Sequence, residues 1–318
     1  MIKVKFNIFM NLICILTILA LNAEDFYADI PVYKELSSLT SPTNEDLHKV
    51  QRYMTYGERS IIKYLNDYEP NARNLKIIGN LSEEQPERGD IVVNCDKDDR
   101  ENCLICYSSF NKNYPRGLKR LVEFIRKSDF KGHIIYRLGG WPDISGGSLT
   151  LAHVPYAFKV SFFKEVKSLG FKRAFWLDTA ILPVVSLNLL FNMIKENGYF
   201  AMGNSHNIGP YTNSFVWNAF GITSKEADNI PSCSAGIIGL DFTTKIGNTI
   251  FEKWYAAAQN KVAFFSPRSD QNALSIILHN LNLSLCPIKR LAHNRKVIND
   301  QTLLLIEREF VNELSLAK

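Results

Sequence analysis

Phe175-Trp-Leu-Asp178-Thr-Ala-Ile181 is the segment best suited to chemistry: an apolar run ends in a carboxylate and a turn follows. An acid at the end of a buried strand stays charged only if it is paired, hydrated or bound to a ligand. There it can hold a divalent cation or a ribose hydroxyl. The plainer alternative is that Asp178 caps its own turn. Lys159 falls on the polar side of a helical pattern before Asp178, where it can pair with phosphate or face water. Asp270, in Ser269-Asp-Gln-Asn272, is either a helix cap or an acid aimed at a substrate. His293, in Ala292-His-Asn294, is a candidate metal ligand or a surface loop histidine. Arg137 closes an apolar run and can reach a phosphate or an acid. Trp141 and Tyr211 flank glycine-containing loops and can stack on a sugar ring or pack. Asn204-Ser-His206-Asn-Ile-Gly209 is a polar stretch suited to an acceptor rim.

These residues need a scaffold, and the patterning supplies one. Cys103-Leu-Ile-Cys-Tyr107 is a continuous apolar run, as expected of a strand buried on both faces. Leu118, Leu121, Val122 and Ile125 follow at helical spacing, and His133–Leu138 is a second strand, so the segment reads as a βαβ unit. A helix is expected from His153 to Leu169, with Gly170 at a left-handed cap. Ala174–Leu177 is the next strand. Ser186 caps a helix carrying Leu187, Leu190, Phe191 and Ile194, which Gly198 ends. Strands at Tyr199–Met202 and Gly236–Leu240 and helices around Trp254 and Ile277 continue the alternation. The pattern predicts an α/β sandwich with a mostly parallel sheet. In such sheets ligands bind beyond the C-terminal strand ends, which points to Ser108–Gly117, Gly139–Gly147, Asp178–Pro183 and Asp241.

Of the 318 residues, 46% are hydrophobic and 22% charged, a globular composition. The net charge of +5 is mild and spread along the chain, and it does not point to a nucleic-acid partner. Lys3 and Lys5 precede an apolar stretch from Ile8 to Leu21 that ends in small residues at Ala23, the order of a secretory signal peptide. Uncleaved, the same segment is an N-terminal membrane anchor, and either way the bulk of the chain is exported. The division is then 1–23 signal or anchor, 24–100 an N-terminal extension packed on the main domain, and 101–318 the main domain. The mature protein is expected to begin near Glu24, which N-terminal sequencing checks; a product that keeps Met1 and sediments with membranes favours the anchor. Five cysteines follow Cys14, and Cys103 and Cys106 read first as buried strand residues, then as a disulfide or metal pair. Asn80-Leu-Ser82 and Asn282-Leu-Ser284 match the glycosylation triplet.

Trp176-Leu-Asp178-Thr-Ala-Ile181, preceded by a helix with Tyr156 and Lys159, resembles the central block of the GT-A glycosyltransferases. The resemblance runs from about Asn102 to His293 and includes Tyr107-Ser108-Ser109-Phe110-Asn111, Ser234-Ala-Gly-Ile-Ile-Gly-Leu-Asp241-Phe and Ser269-Asp270-Gln271-Asn272. It implies a single Rossmann-like α/β/α domain that moves a sugar from a nucleotide-diphosphate donor to a hydroxyl of a glycan or protein. By the same resemblance Ser108, Asn111, Lys159 and Asp178 bind donor, Gly236 and Asp241 lie on the acceptor side, and Asp270 is catalytic. Asp178 and His293 would hold a divalent manganese or magnesium ion. One departure matters: the second acid of the family's Asp-x-Asp signature is Ala180 here. Asp270 or His293 can complete the shell, or Lys and Arg can neutralise phosphate instead. A degenerate glycan-binding protein and a nucleotide-sugar hydrolase are the alternatives. Export also requires that donor be delivered outside the cytoplasm, as in a lumen.

Overall fold

The computed structural model describes residues 87–308, apart from 109–113, 139–150 and positions 152, 153, 155, 265 and 267. The signal segment, most of the expected extension, Asn111 and Trp141 lie outside the described residues. No helix among the described residues is long and apolar enough to cross a membrane.

The central sheet has six strands: β1 (Glu87–Val93), β2 (Asn102–Ser108), β3 (Gly132–Leu138), β4 (Arg173–Leu177), β6 (Tyr199–Asn207) and β7 (Pro231–Asp241). Their order is β1-β3-β2-β4-β7-β6. A small second sheet joins β5 (Ile181–Pro183), β9 (Leu304–Ile306) and β8 (Leu291–Ala292) in that order. The helices, in chain order, are α1 (Tyr114–Arg126), α2 (Phe158–Ser168), α3 (Leu187–Asn197), α4 (Ser214–Phe220), α5 (Ser224–Ala227), α6 (Lys245–Gln259) and α7 (Ser269–Asn280).

Alternation within the strands builds two cores. In β4, Ala174 and Trp176 face one side while Phe175 and Leu177 face the other, and β2 divides Cys103, Ile105 and Tyr107 from Leu104 and Cys106 in the same way. On the first side α2, α6 and α7 bring Phe162, Phe163, Trp254 and Leu274. On the second, α1 and α3 bring Leu121, Ile125, Leu190 and Phe191. Helices on both faces make the α/β/α layering that the patterning predicts, each large apolar side chain contributing about 1.5–3 kcal/mol of burial. Cys103 and Cys106 are buried strand thiols, and all five described cysteines are free.

Two boundaries follow from local chemistry. Ser186 Oγ accepts from Asn188 N–H to start α3, and Gly198, at φ 80, ends it. Helix α2 starts at Phe158 rather than at the expected His153, because Tyr156 sits at φ 60, outside any right-handed helix. Gly170, at φ 85, follows the end of α2, as expected of a left-handed cap.

The expectation of a mostly parallel sheet needs correction. β2 pairs parallel with β3 and β4, but β1–β3, β4–β7 and β6–β7 are antiparallel. Strand β7 is inserted between β4 and β6 and runs against both, so three of the five pairings are antiparallel. Strand–helix alternation in a sequence cannot reveal this, since it records order along the chain and not direction in the sheet. Strand β1, within the expected extension, forms the sheet edge.

Candidate active site

A cavity of about 450 Å³ opens beyond the C-terminal end of β4. Asp178 is the first residue past that strand. Its backbone N–H donates to Gly236 O at 2.9 Å, and its carbonyl accepts from Ile181 N–H at 2.8 Å. The turn is thus closed by the main chain, and the carboxylate faces the cavity instead of capping. Trp176 Nε1–H donates to Asp178 Oδ1 at 2.7 Å and fixes its orientation, while 47% of the side chain stays exposed. Below the turn, Arg120 pairs with Glu307 and donates to Thr179 O, and Glu307 N–H donates to Ala180 O. Arg120 in α1 and Glu307 just past β9, 187 residues apart, therefore brace the loop that carries Asp178.

Strand β7 supplies the opposite wall with Ser234, Ala235 and Gly236. A Cβ on Gly236 would lie 2.5 Å from Asp178 Oδ2, so only glycine leaves the carboxylate where it is.

For Lys159, on the polar side of its helix, the sequence leaves pairing with phosphate and facing water both open. Lys159 is buried, with 7% of its side chain exposed. Helix α2 is covered by the sheet and α6, and its two buried charged residues are paired: Glu165 with Arg137 and Arg88, Lys159 with the cavity acids. Lys159 Nζ lies 2.8 Å from Asp270 Oδ2 and 3.7 Å from Asp178 Oδ1, and donates to Ala235 O at 3.1 Å. The Tyr156 and Trp176 rings lie beside the ammonium, each with its centroid 5.6 Å away. Tyr156 reaches that place at a φ of 60, a strained conformation of the kind that gathers at functional sites.

Asp270 stands in the first turn of α7 with 5% of its side chain exposed. Its Oδ2 touches the ammonium but receives no hydrogen bond of good geometry. Burial raises its pKa, and Lys159 opposes the rise. The folded protein then holds a proton on Asp270 that the unfolded chain has lost, in the window from the usual carboxylate range up to the raised value. Stability should fall as pH rises through that window. Asp270→Asn is expected to flatten this part of the profile, as read by urea unfolding from about pH 4 to pH 7.

Of the other expected residues, His293 lines the cavity and is exposed. Asn204 and His206 line it too. Ser108 is buried at the end of β2, on the same sheet edge, but is not a lining residue. Asp241 lies elsewhere. Because β7 runs antiparallel to β4, Asp241 lies opposite Arg173 at the far edge of the sheet, where it pairs with Arg173 and accepts from Thr243 N–H. Arg137 is committed to Glu165 and packs on Phe162. Tyr211 packs under Arg268. Arg268 and Arg308, which the sequence reading passed over, line the cavity. Arg268 could have been noticed beside the Asp-Gln block. Arg308 had no local signal, because the pairing of β9 with β5 brings it there.

The divalent ion implied by the Asp-x-Asp resemblance needs several oxygen ligands at close range. Here an ammonium contacts both carboxylates and compensates their charge. No group of three or more His, Cys, Asp or Glu side chains suited to a metal ion occurs among the described residues. The acids as arranged do not fit a divalent cation.

No protein-family model matches this chain, and no curated protein matches it.

Proposed function

We propose that the protein is a glycosyltransferase of the GT-A kind, exported, moving a sugar from a nucleotide-diphosphate donor to the hydroxyl of a glycan or protein. One observation carries this reading. Four segments far apart in sequence, around Lys159, Asp178, Gly236 and Asp270, meet in one cavity at a strand end, in the order of the resemblance. In the reaction the bond from the anomeric carbon to the diphosphate oxygen breaks, and its electron pair leaves with the diphosphate. The acceptor oxygen bonds to that carbon and gives up its proton. Asp178, fixed by the Trp176 indole, orients donor hydroxyls. Asp270 lies deeper, and burial raises its pKa above the usual carboxylate range, the direction that suits a group taking up a proton. Positioning and charge stabilisation then supply the rate.

A screen of uridine and guanosine diphosphate-sugars by thermal shift tests the reading, since a bound donor raises apparent stability by mass action. Failure of every donor to shift the transition overturns it. Product analysis with and without acceptor separates transfer from hydrolysis. Asp270→Asn is expected to leave donor affinity within about threefold and to lower turnover about a hundredfold, the scale of one lost acid–base group.

A further inference from the structure

The cavity holds cations that its acids do not engage. Arg268 precedes α7, with Cζ 3.7 Å above the Tyr211 ring centroid, and it donates to His206 Nε2. Accepting that bond, the imidazole is uncharged, and burial together with the nearby guanidinium lowers its pKa. Arg268 is thus held by contact with an aromatic ring and a hydrogen bond to a histidine, and its guanidinium is a planar fork of donors suited to oxyanions. Arg308, just past β9, is exposed and lines the same cavity. Among the described residues neither arginine is ion-paired with a carboxylate. The lining carries three fixed cations, Lys159, Arg268 and Arg308, against two carboxylates, Asp178 and Asp270. The cavity is therefore net positive without any added ion and draws anions.

We infer that the cavity binds a diphosphate through the chain's own cations, Arg268 and Arg308 at its mouth above Lys159, and that no divalent ion bridges ligand to protein. This rests on the transferase reading and names how its leaving group is held. It accounts for two facts together. Ala180 stands where the signature's second acid would be, and the ammonium of Lys159 stands against both remaining carboxylates. With the acids turned to hydroxyls, the arginines are left for the phosphates.

Titration calorimetry of the purified protein with uridine diphosphate, guanosine diphosphate and inorganic pyrophosphate, first in EDTA and then in manganese, tests this. At least one nucleoside diphosphate is expected to bind in EDTA within about threefold of its affinity in manganese. Arg268→Ala should weaken it about tenfold to a hundredfold, and the exposed Arg308→Ala less, about threefold to tenfold. Arg308→Ala removes an exposed side chain, and the EDTA comparison needs no variant at all, so a misfolded Arg268→Ala leaves the test standing. Binding that requires manganese overturns this inference and leaves the transferase reading intact. Binding in EDTA that neither variant weakens overturns the role of the arginines. Pyrophosphate binding without any nucleoside diphosphate supports the anion site and overturns the transferase reading. No binding under either condition overturns both.

Discussion

Asp178→Asn is expected to weaken donor binding about tenfold to a hundredfold while leaving the fold intact, the scale of one good charge-assisted hydrogen bond. The fold should survive because the turn does not depend on the carboxylate. Its closing bonds run from the main chain at Asp178 to Gly236 O and from Ile181 to Asp178 O. Asparagine keeps the shape and can still accept from Trp176 Nε1–H through its carbonyl oxygen. What it loses is the second acceptor, replaced by an amide that donates where a donor hydroxyl must also donate. Lys159 also loses part of its compensation, though Asp270 remains at closer range. Calorimetry with the preferred donor, alongside circular dichroism, reads the effect. Unchanged affinity in a folded variant would show that the carboxylate does not touch donor.

Lys159→Met should cost about 3–5 kcal/mol of stability, the usual penalty for stripping the partner from a buried charge. Asp270 is almost completely enclosed and its nearest cation is this ammonium. In a chain of this size that loss shifts the thermal midpoint on the order of 10 °C. Removing both charges, in Lys159→Met with Asp270→Asn, is expected to recover most of the loss, since a buried ion pair contributes little net stability against neutral packing. Urea unfolding of the two single variants and the double reads the coupling directly. A Lys159→Met protein within about 1 kcal/mol of the parent would mean that Asp270 is neutral without its partner. The same pair matters for function. It fixes the two acids at one separation and sets the charge of the cavity floor.

Much of the local architecture is written in the chain. Continuous apolar runs at Cys103–Tyr107 and Ala174–Leu177 dictate strands buried on both faces, because an alternating pattern would leave one face wet. Ser186 and Gly198 bound their helix by hydrogen bonding and left-handed backbone, both local effects. Asp178 stood out for the same reason: a carboxylate after a buried run requires a partner, water or a ligand wherever the rest of the chain lies. The tertiary structure decided what depends on direction and on cover. The reversal of β7 placed Gly236 against Asp178 and sent Asp241 to the opposite edge, and nothing within the strand encodes which way its neighbour runs. The packing of α6 over α2 decided between the two readings of Lys159 and made it the buried cation of the site, which a helical pattern cannot foresee because it reports a polar side and not what lies against it. Arg268 and Arg308, apart in sequence, became neighbours of one cavity because α7 begins there and β9 pairs with β5 beside the Asp178 turn. Residue types and local periodicity set which groups are able to do chemistry, and non-local pairing set which of them meet.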